Sequence, residues 1–163
     1  MARSDGEQER AEQLKYRLLR EAAAIVQRGG VRSLSMRKVA SALNYTTTTI
    51  YYHFGSRRAL LDGVRSLAWE KLYESLAAAG DSSEWETRAV DIAVAYLEFA
   101  LAEPAFYHVC FLSGGEGGGA EYAPSGEWEV KSFELLQNHV QEGIDAGLLE
   151  FADARRGSLH FWS

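Results

Sequence analysis

Three helical segments fit between Arg10 and Phe54, and the residues that separate them leave little choice in how they fold. Leu14, Leu18, Ala22, Ile25 and Val26 recur at helical spacing, and Gly29-Gly30 supplies the left-handed residue that commonly closes a helix. Ser35 is an N-cap for a second helix whose inward face is Met36, Val39, Ala40 and Leu43. Asn44-Tyr45 makes a short turn. A third helix then runs from Thr46 to about His53, turning Ile50 and Phe54 inward, until Gly55-Ser56 breaks it. Three short helices in this order make a helix-turn-helix unit.

The remainder continues in the same period. A fourth helix over residues 57–79 carries Leu60, Leu61, Val64, Leu67, Ala68, Leu72 and Leu76 and links this unit to the rest of the chain. Residues 84–102 form the next helix, and Pro104, at its favoured first-turn position, opens a shorter one through Leu112. Residues 113–119 are nearly all glycine and read as a mobile loop. Helix resumes over 126–146, ends at Gly147 and restarts near Asp153. There is no strand alternation and no repeat, so the predicted class is all-α. The expected division is a flexible tail over 1–9, a helix-turn-helix domain over 10–56 and a second helical domain over 57–163, with 57–79 as the linking helix.

Composition excludes several classes. The apolar fraction of 47% with 25% charged residues is that of a packed globular chain. One cysteine, Cys110, allows no intrachain disulfide, and no His/Cys spacing suits zinc, so no metal site is expected. Residues 1–13 lack the apolar core of a signal peptide. The apolar run 92–102 contains Glu98 and is shorter than the roughly 20 residues a bilayer needs. A cytoplasmic protein with no membrane partner is expected. The histidines are scattered at 53, 108, 139 and 160, there is no Gly-x-Ser-x-Gly, and no Lys-Ser/Thr follows the glycines. No catalytic residue, cofactor or enzymatic activity is expected.

The net charge of −6 is unevenly distributed. Residues 10–60 hold ten Lys/Arg against two Glu, whereas from 61 onward six basic residues face eighteen acidic ones. The amino-terminal segment is suited to a polyanion and the rest is not. The second helix of a helix-turn-helix meets base edges with its amino end. Thr46, Thr47, Thr48 and Thr49 stand there, a run that helix propensity alone would not favour. Their hydroxyls can bond phosphates or bases, and their methyls can pack on a thymine methyl. With Ile50 and Phe54 inward, Tyr51, Tyr52 and His53 are left for the DNA side. Arg37 and Lys38 begin the second helix, and Arg57 and Arg58 the fourth, where a cation opposes the helix dipole unless phosphate is its neighbour. Ser35, at the head of the second helix, is counted with this DNA-binding set.

These residues resemble the tetracycline-repressor-like (TetR/AcrR) transcriptional regulators. The likeness lies in Gly30-Val31-Arg32-Ser33-Leu34-Ser35-Met36-Arg37-Lys38-Val39-Ala40, then Leu43, then Thr49-Ile50-Tyr51-Tyr52-His53-Phe54-Gly55-Ser56-Arg57-Arg58-Ala59-Leu60-Leu61. The resemblance implies a phosphate or base contact from Arg37 and base reading by Thr47, Thr48 and Thr49. It also implies backbone contacts from Tyr51, Tyr52 and His53 and a phosphate anchor at Arg57. Residues 96–107 and 140–147 resemble, more loosely, the family's ligand-sensing domains. The second domain is therefore expected to bind an effector and to dimerise, and to stop before the family's last helix or more.

The implied function is a repressor, working as a homodimer, that leaves a palindromic double-stranded DNA operator when a small hydrophobic effector binds. The expected pocket draws on Tyr96, Phe99, Phe106, Tyr107, Phe111, Trp128 and Phe133, completed by polar groups such as His108 or Asn138. The alternative is a DNA-binding protein without small-molecule control, acting structurally or through a protein partner.

Overall fold

The computed structural model describes residues 5–111, 126–151 and 153–162. They form α1 (Asp5–Gly29), a short 3-10 turn (Val31–Ser33), α2 (Met36–Ala42), α3 (Thr47–Phe54), α4 (Arg57–Ala79), α5 (Trp85–Ala102), α6 (Pro104–Phe111), α7 (Glu127–Asp145) and α8 (Ala154–Trp162). Among the described residues there is no strand, and the protein is all-α. The glycine-rich stretch 113–119 lies outside them. Two compact units divide within α4, between Arg65 and Ser66.

In the first unit, helices as short as α2 and α3 are marginal in water by themselves. Burial holds them. Leu18, Ala22, Ala23, Ile25 and Val26 of α1 form one core with Leu34, with Met36, Val39 and Ala40 of α2, with Ile50 of α3, and with Leu60 and Val64 of α4. Ile50, fully buried, contributes on the order of 1.5–3 kcal/mol by leaving water. Leu43 and Phe54, expected inward, are only half-buried, because each lies at the end of its helix.

Residues 5–9, expected as a tail, extend α1 instead. Glu7, Glu9 and Glu12 favour a helix amino end, and the Gln13 amide donates to the Glu9 carboxylate at 3.4 Å, one turn away. The 3-10 turn was not foreseen. It is held by the Ser33 hydroxyl, which lies 2.9 Å from the Ile25 carbonyl oxygen and 2.7 Å from that of Gly30.

The second unit packs larger side chains. Ala68, Trp69, Leu72 and Leu76 of α4 are buried, as are Ile92, Ala95 and Phe99 of α5 and Phe106, Val109 and Cys110 of α6. From α7 come Phe133, Leu136 and Val140. Glu129 turns back to accept from the Gly126 backbone N–H at 3.3 Å and so fixes the start of α7. The Asp153 carboxylate accepts from the Arg156 N–H at 2.7 Å and starts α8. The opposite face of α5 leaves Val90, Val94, Leu97 and Leu101 exposed.

Candidate nucleic-acid interface

The two helices of the motif are joined at Asn44, whose φ of +57° is a left-handed conformation that asparagine tolerates. The next residues set the geometry of α3. Thr46 is its N-cap: the hydroxyl accepts from the Thr49 N–H at 3.3 Å and lies 3.0 Å from the Thr49 hydroxyl. The four threonines therefore divide in two. Thr46 and Thr49 share a capping pair, while Thr47 and Thr48 lie between them, with Thr48 exposed.

One turn on, Tyr51 and Tyr52 are 50% and 64% exposed, which is unusual for rings of that size and leaves both able to meet a partner. His53 is half-buried with its ring edge-on to Tyr52 at 5.3 Å. Gly55 closes the helix at φ +69°, a conformation costly for residues with a Cβ, and its N–H donates to the Tyr51 carbonyl at 2.7 Å.

The cationic residues are positioned by caps and turns. The Ser35 hydroxyl accepts from the Lys38 N–H at 3.2 Å, so Ser35 fixes the first turn of α2, on which Arg37 and Lys38 are both exposed. Arg57 has a role that the sequence did not reveal. Its Nε donates to the Leu34 carbonyl at 2.9 Å and its Nη2 to that of Val31 at 2.8 Å, which ties the start of α4 to the turn before α2. A guanidinium carries five N–H donors, so three remain for a phosphate. Arg58 is exposed.

In the second unit, Phe99, Phe106 and Phe133 are buried, and Tyr96, Tyr107, Phe111 and Trp128 are half-buried. His108 and Asn138 are exposed, since each lies on a helix face turned away from its buried neighbours. The rings fill one another's space. Phe111 packs 4.9 Å from Tyr107, 5.9 Å from Tyr96 and 5.0 Å from Trp69. The Tyr96 and Tyr107 hydroxyls are 3.1 Å apart. Burial, reinforced by that hydrogen bond, pushes the Tyr96 hydroxyl pKa well above its ordinary value of 10.0.

Trp69 and Tyr73 join this aromatic set, Tyr73 at 5.6 Å from Trp128. Sequence reasoning passed over both, although their i, i+4 spacing on α4 was a signal. A recess of about 480 Å³ is lined by Lys71, Glu74, Ser75, Glu98, Phe99, Ala102 and Glu103. It is open and mixes charged with apolar lining, and of the expected pocket residues only Phe99 lines it. Lys71 bridges it to Glu103 at 3.1 Å. Among the described residues no cluster of His, Cys, Asp or Glu could hold a metal, and no helix is long and apolar enough to cross a membrane.

Comparison with known proteins adds to this geometry. Residues 18–64 match the sequence model of the bacterial regulatory proteins of the tetR family. An uncharacterised HTH-type transcriptional regulator of Bacillus subtilis (strain 168), YobS, is 23% identical over 91 residues, which are 56% of this chain and 48% of that protein. The chain thus spans about half the length of that relative. A protein of unknown function from Rhodococcus sp. RHA1 superposes with a TM-score of 0.73 at 26% identity, over 91% of this chain and 77% of its own. AibR, solved in complex with isovaleryl coenzyme A and operator DNA, shares the fold with a TM-score of 0.63 at 17% identity, over 91% of this chain and 81% of its own. By these matches, residues 18–64 build a helical unit of the kind found in the tetR family of bacterial regulatory proteins.

Proposed function

We propose that this chain is a sequence-specific DNA-binding regulator, a homodimeric repressor that leaves a palindromic operator when a small hydrophobic molecule binds its second unit. The observation that carries the reading is the exposed side of α3. Thr48, Tyr51 and Tyr52 are exposed on a helix whose other side is anchored by the fully buried Ile50, and Arg37 and Lys38 stand exposed on the first turn of α2. Polar side chains on a rigid helix, with cations on the helix that precedes it, are what reading base edges between two phosphate backbones requires. Two such helices in a two-fold dimer would bind half-sites one helical turn apart.

The effector half of the proposal draws support from the aromatic content of the second unit and from AibR, a protein of the same fold that was solved with both an acyl-coenzyme A and DNA. Release is then a population shift: the effector stabilises a conformer in which the two recognition helices no longer match adjacent major grooves. The close packing of Trp69, Tyr96, Tyr107 and Phe111 on one another favours the second reading, DNA binding without small-molecule control.

Selection of bound sequences from random oligonucleotides at stated salt tests the DNA-binding claim. A palindromic site is expected, and Arg37→Ala should weaken binding to every sequence and lower the salt slope by about 1. Recovery of no enriched sequence would sink the proposal. A thermal-shift screen with hydrophobic compounds then decides between the two readings, since a bound effector raises the melting temperature by mass action.

A further inference from the structure

The amino end of α5 and the last turns of α7 are joined by four side chains that neither DNA binding nor the aromatic cluster explains. Trp85 lies flat on His139, with ring centroids 4.8 Å apart and planes 2° from parallel, and its indole N–H donates to the His139 carbonyl at 2.8 Å. Arg88 donates its Nε–H to His139 Nδ1 at 3.2 Å, its Nη1 to the Ser82 carbonyl at 2.8 Å, and its Nη2 to the Glu142 carboxylate. Gly143 admits the Trp85 ring where a Cβ would collide with it.

His139 is only 7% exposed. Because Nδ1 accepts from Arg88, the neutral ring carries its proton on Nε2, and that nitrogen is buried with no acceptor among the described residues. A second proton has no good place. On Nδ1 it would point at the Arg88 N–H, and the resulting cation would still leave Nε2–H without a partner in a low-dielectric site.

We infer that Trp85, Arg88, His139 and Glu142 form an acid-released latch between α5 and α7, closed while the imidazole is neutral and opened when it takes a proton. The charged groups that act on the ring are Arg88 from α5 and Glu142 from α7 itself, and on α8, which packs along α7, Arg155 and Arg156 are exposed. Burial first and the Arg88 charge second hold the His139 pKa below the ordinary 6.5, with Glu142 opposing them. In the unfolded chain the ring titrates at 6.5, so the latch contributes its full stability above that pH. As pH falls below 6.5 the unfolded state takes up the proton first, and the contribution declines until the lowered folded value is reached.

The test compares melting temperature against pH, from about 7.5 to about 5, for the full chain and for His139→Asn. The asparagine oxygen can accept from Arg88 in place of Nδ1 and does not titrate. The wild type should lose more of its melting temperature on acidification than the variant, and equal slopes would overturn the latch. An NMR titration of the wild-type histidine rings gives a measurement that does not depend on how the variant folds. The ring with contacts to Trp85 should titrate below 6.5 as the Nε2–H tautomer, and a value at or above 6.5, or the Nδ1–H tautomer, would overturn the latch as well.

Discussion

The two units place their aromatic rings in opposite ways. The first buries aliphatic side chains such as Leu18, Val26, Leu34 and Ile50 and leaves Tyr51 and Tyr52 in solvent. The second buries Trp69, Phe99, Phe106 and Phe133 and packs Tyr96 and Tyr107 against each other and against Phe111, which meets Trp69. Charge divides along the same line. Residues 1–65 carry twelve Lys/Arg against six Asp/Glu, and residues 66–163 carry five against seventeen. A surface that leaves large rings exposed beside uncompensated cations gives up burial that the second unit uses for its own core. The first unit is thus built for what it touches, and the second for what it encloses.

The largest effect expected from this contrast is at Trp69. Trp69→Ala removes a side chain 2% exposed at the centre of the aromatic packing and should destabilise the second unit by about 3–5 kcal/mol. Denaturant unfolding followed by Trp fluorescence and by far-UV circular dichroism reads this directly. A loss below about 1 kcal/mol would mean that the rings line a space rather than fill one.

Arg57 sharpens the comparison from the other side. If it acted only as a phosphate anchor, Arg57→Lys would keep the charge and leave stability alone. Because its guanidinium donates to the carbonyls of Val31 and Leu34, lysine should lower the stability of the first unit by about 1–2 kcal/mol, before any DNA is added. Unchanged unfolding in the absence of DNA would return Arg57 to a role on the surface alone.

Arg57 also shows where sequence stops being informative. Local signals were legible: the Ser35 cap, the Gly55 stop, the inward Ile50 and the extent of α4 are all read from neighbours within a few residues, and all are present. The bonds from Arg57 to residues 23 and 26 positions earlier depend on where the chain folds back, and spacing holds no trace of them. The same limit applies to the second unit. That its aromatics gather was visible in their number, but which of them touch, and that Trp69 of α4 joins them, depends on helix packing. The Arg88–His139–Glu142 group, whose arginine lies about fifty residues from its two partners in sequence, went unnoticed for the same reason.

The smallest effect separates two adjacent roles within the threonine run. Thr46→Ala removes the hydroxyl that accepts from the Thr49 N–H and should cost about 1 kcal/mol of stability, within the usual range for a lost N-cap. Thr48, exposed on the first turn of α3, has no such duty, and Thr48→Ala should leave stability within about 0.5 kcal/mol of the parent. Its effect is expected on the DNA. The variant should change which bases are enriched in a random-oligonucleotide selection while keeping the salt dependence of the parent, because no phosphate contact is removed. A uniform loss on all sequences would place Thr48 on the backbone, and the first unit would then read bases with Thr47 or the tyrosines instead.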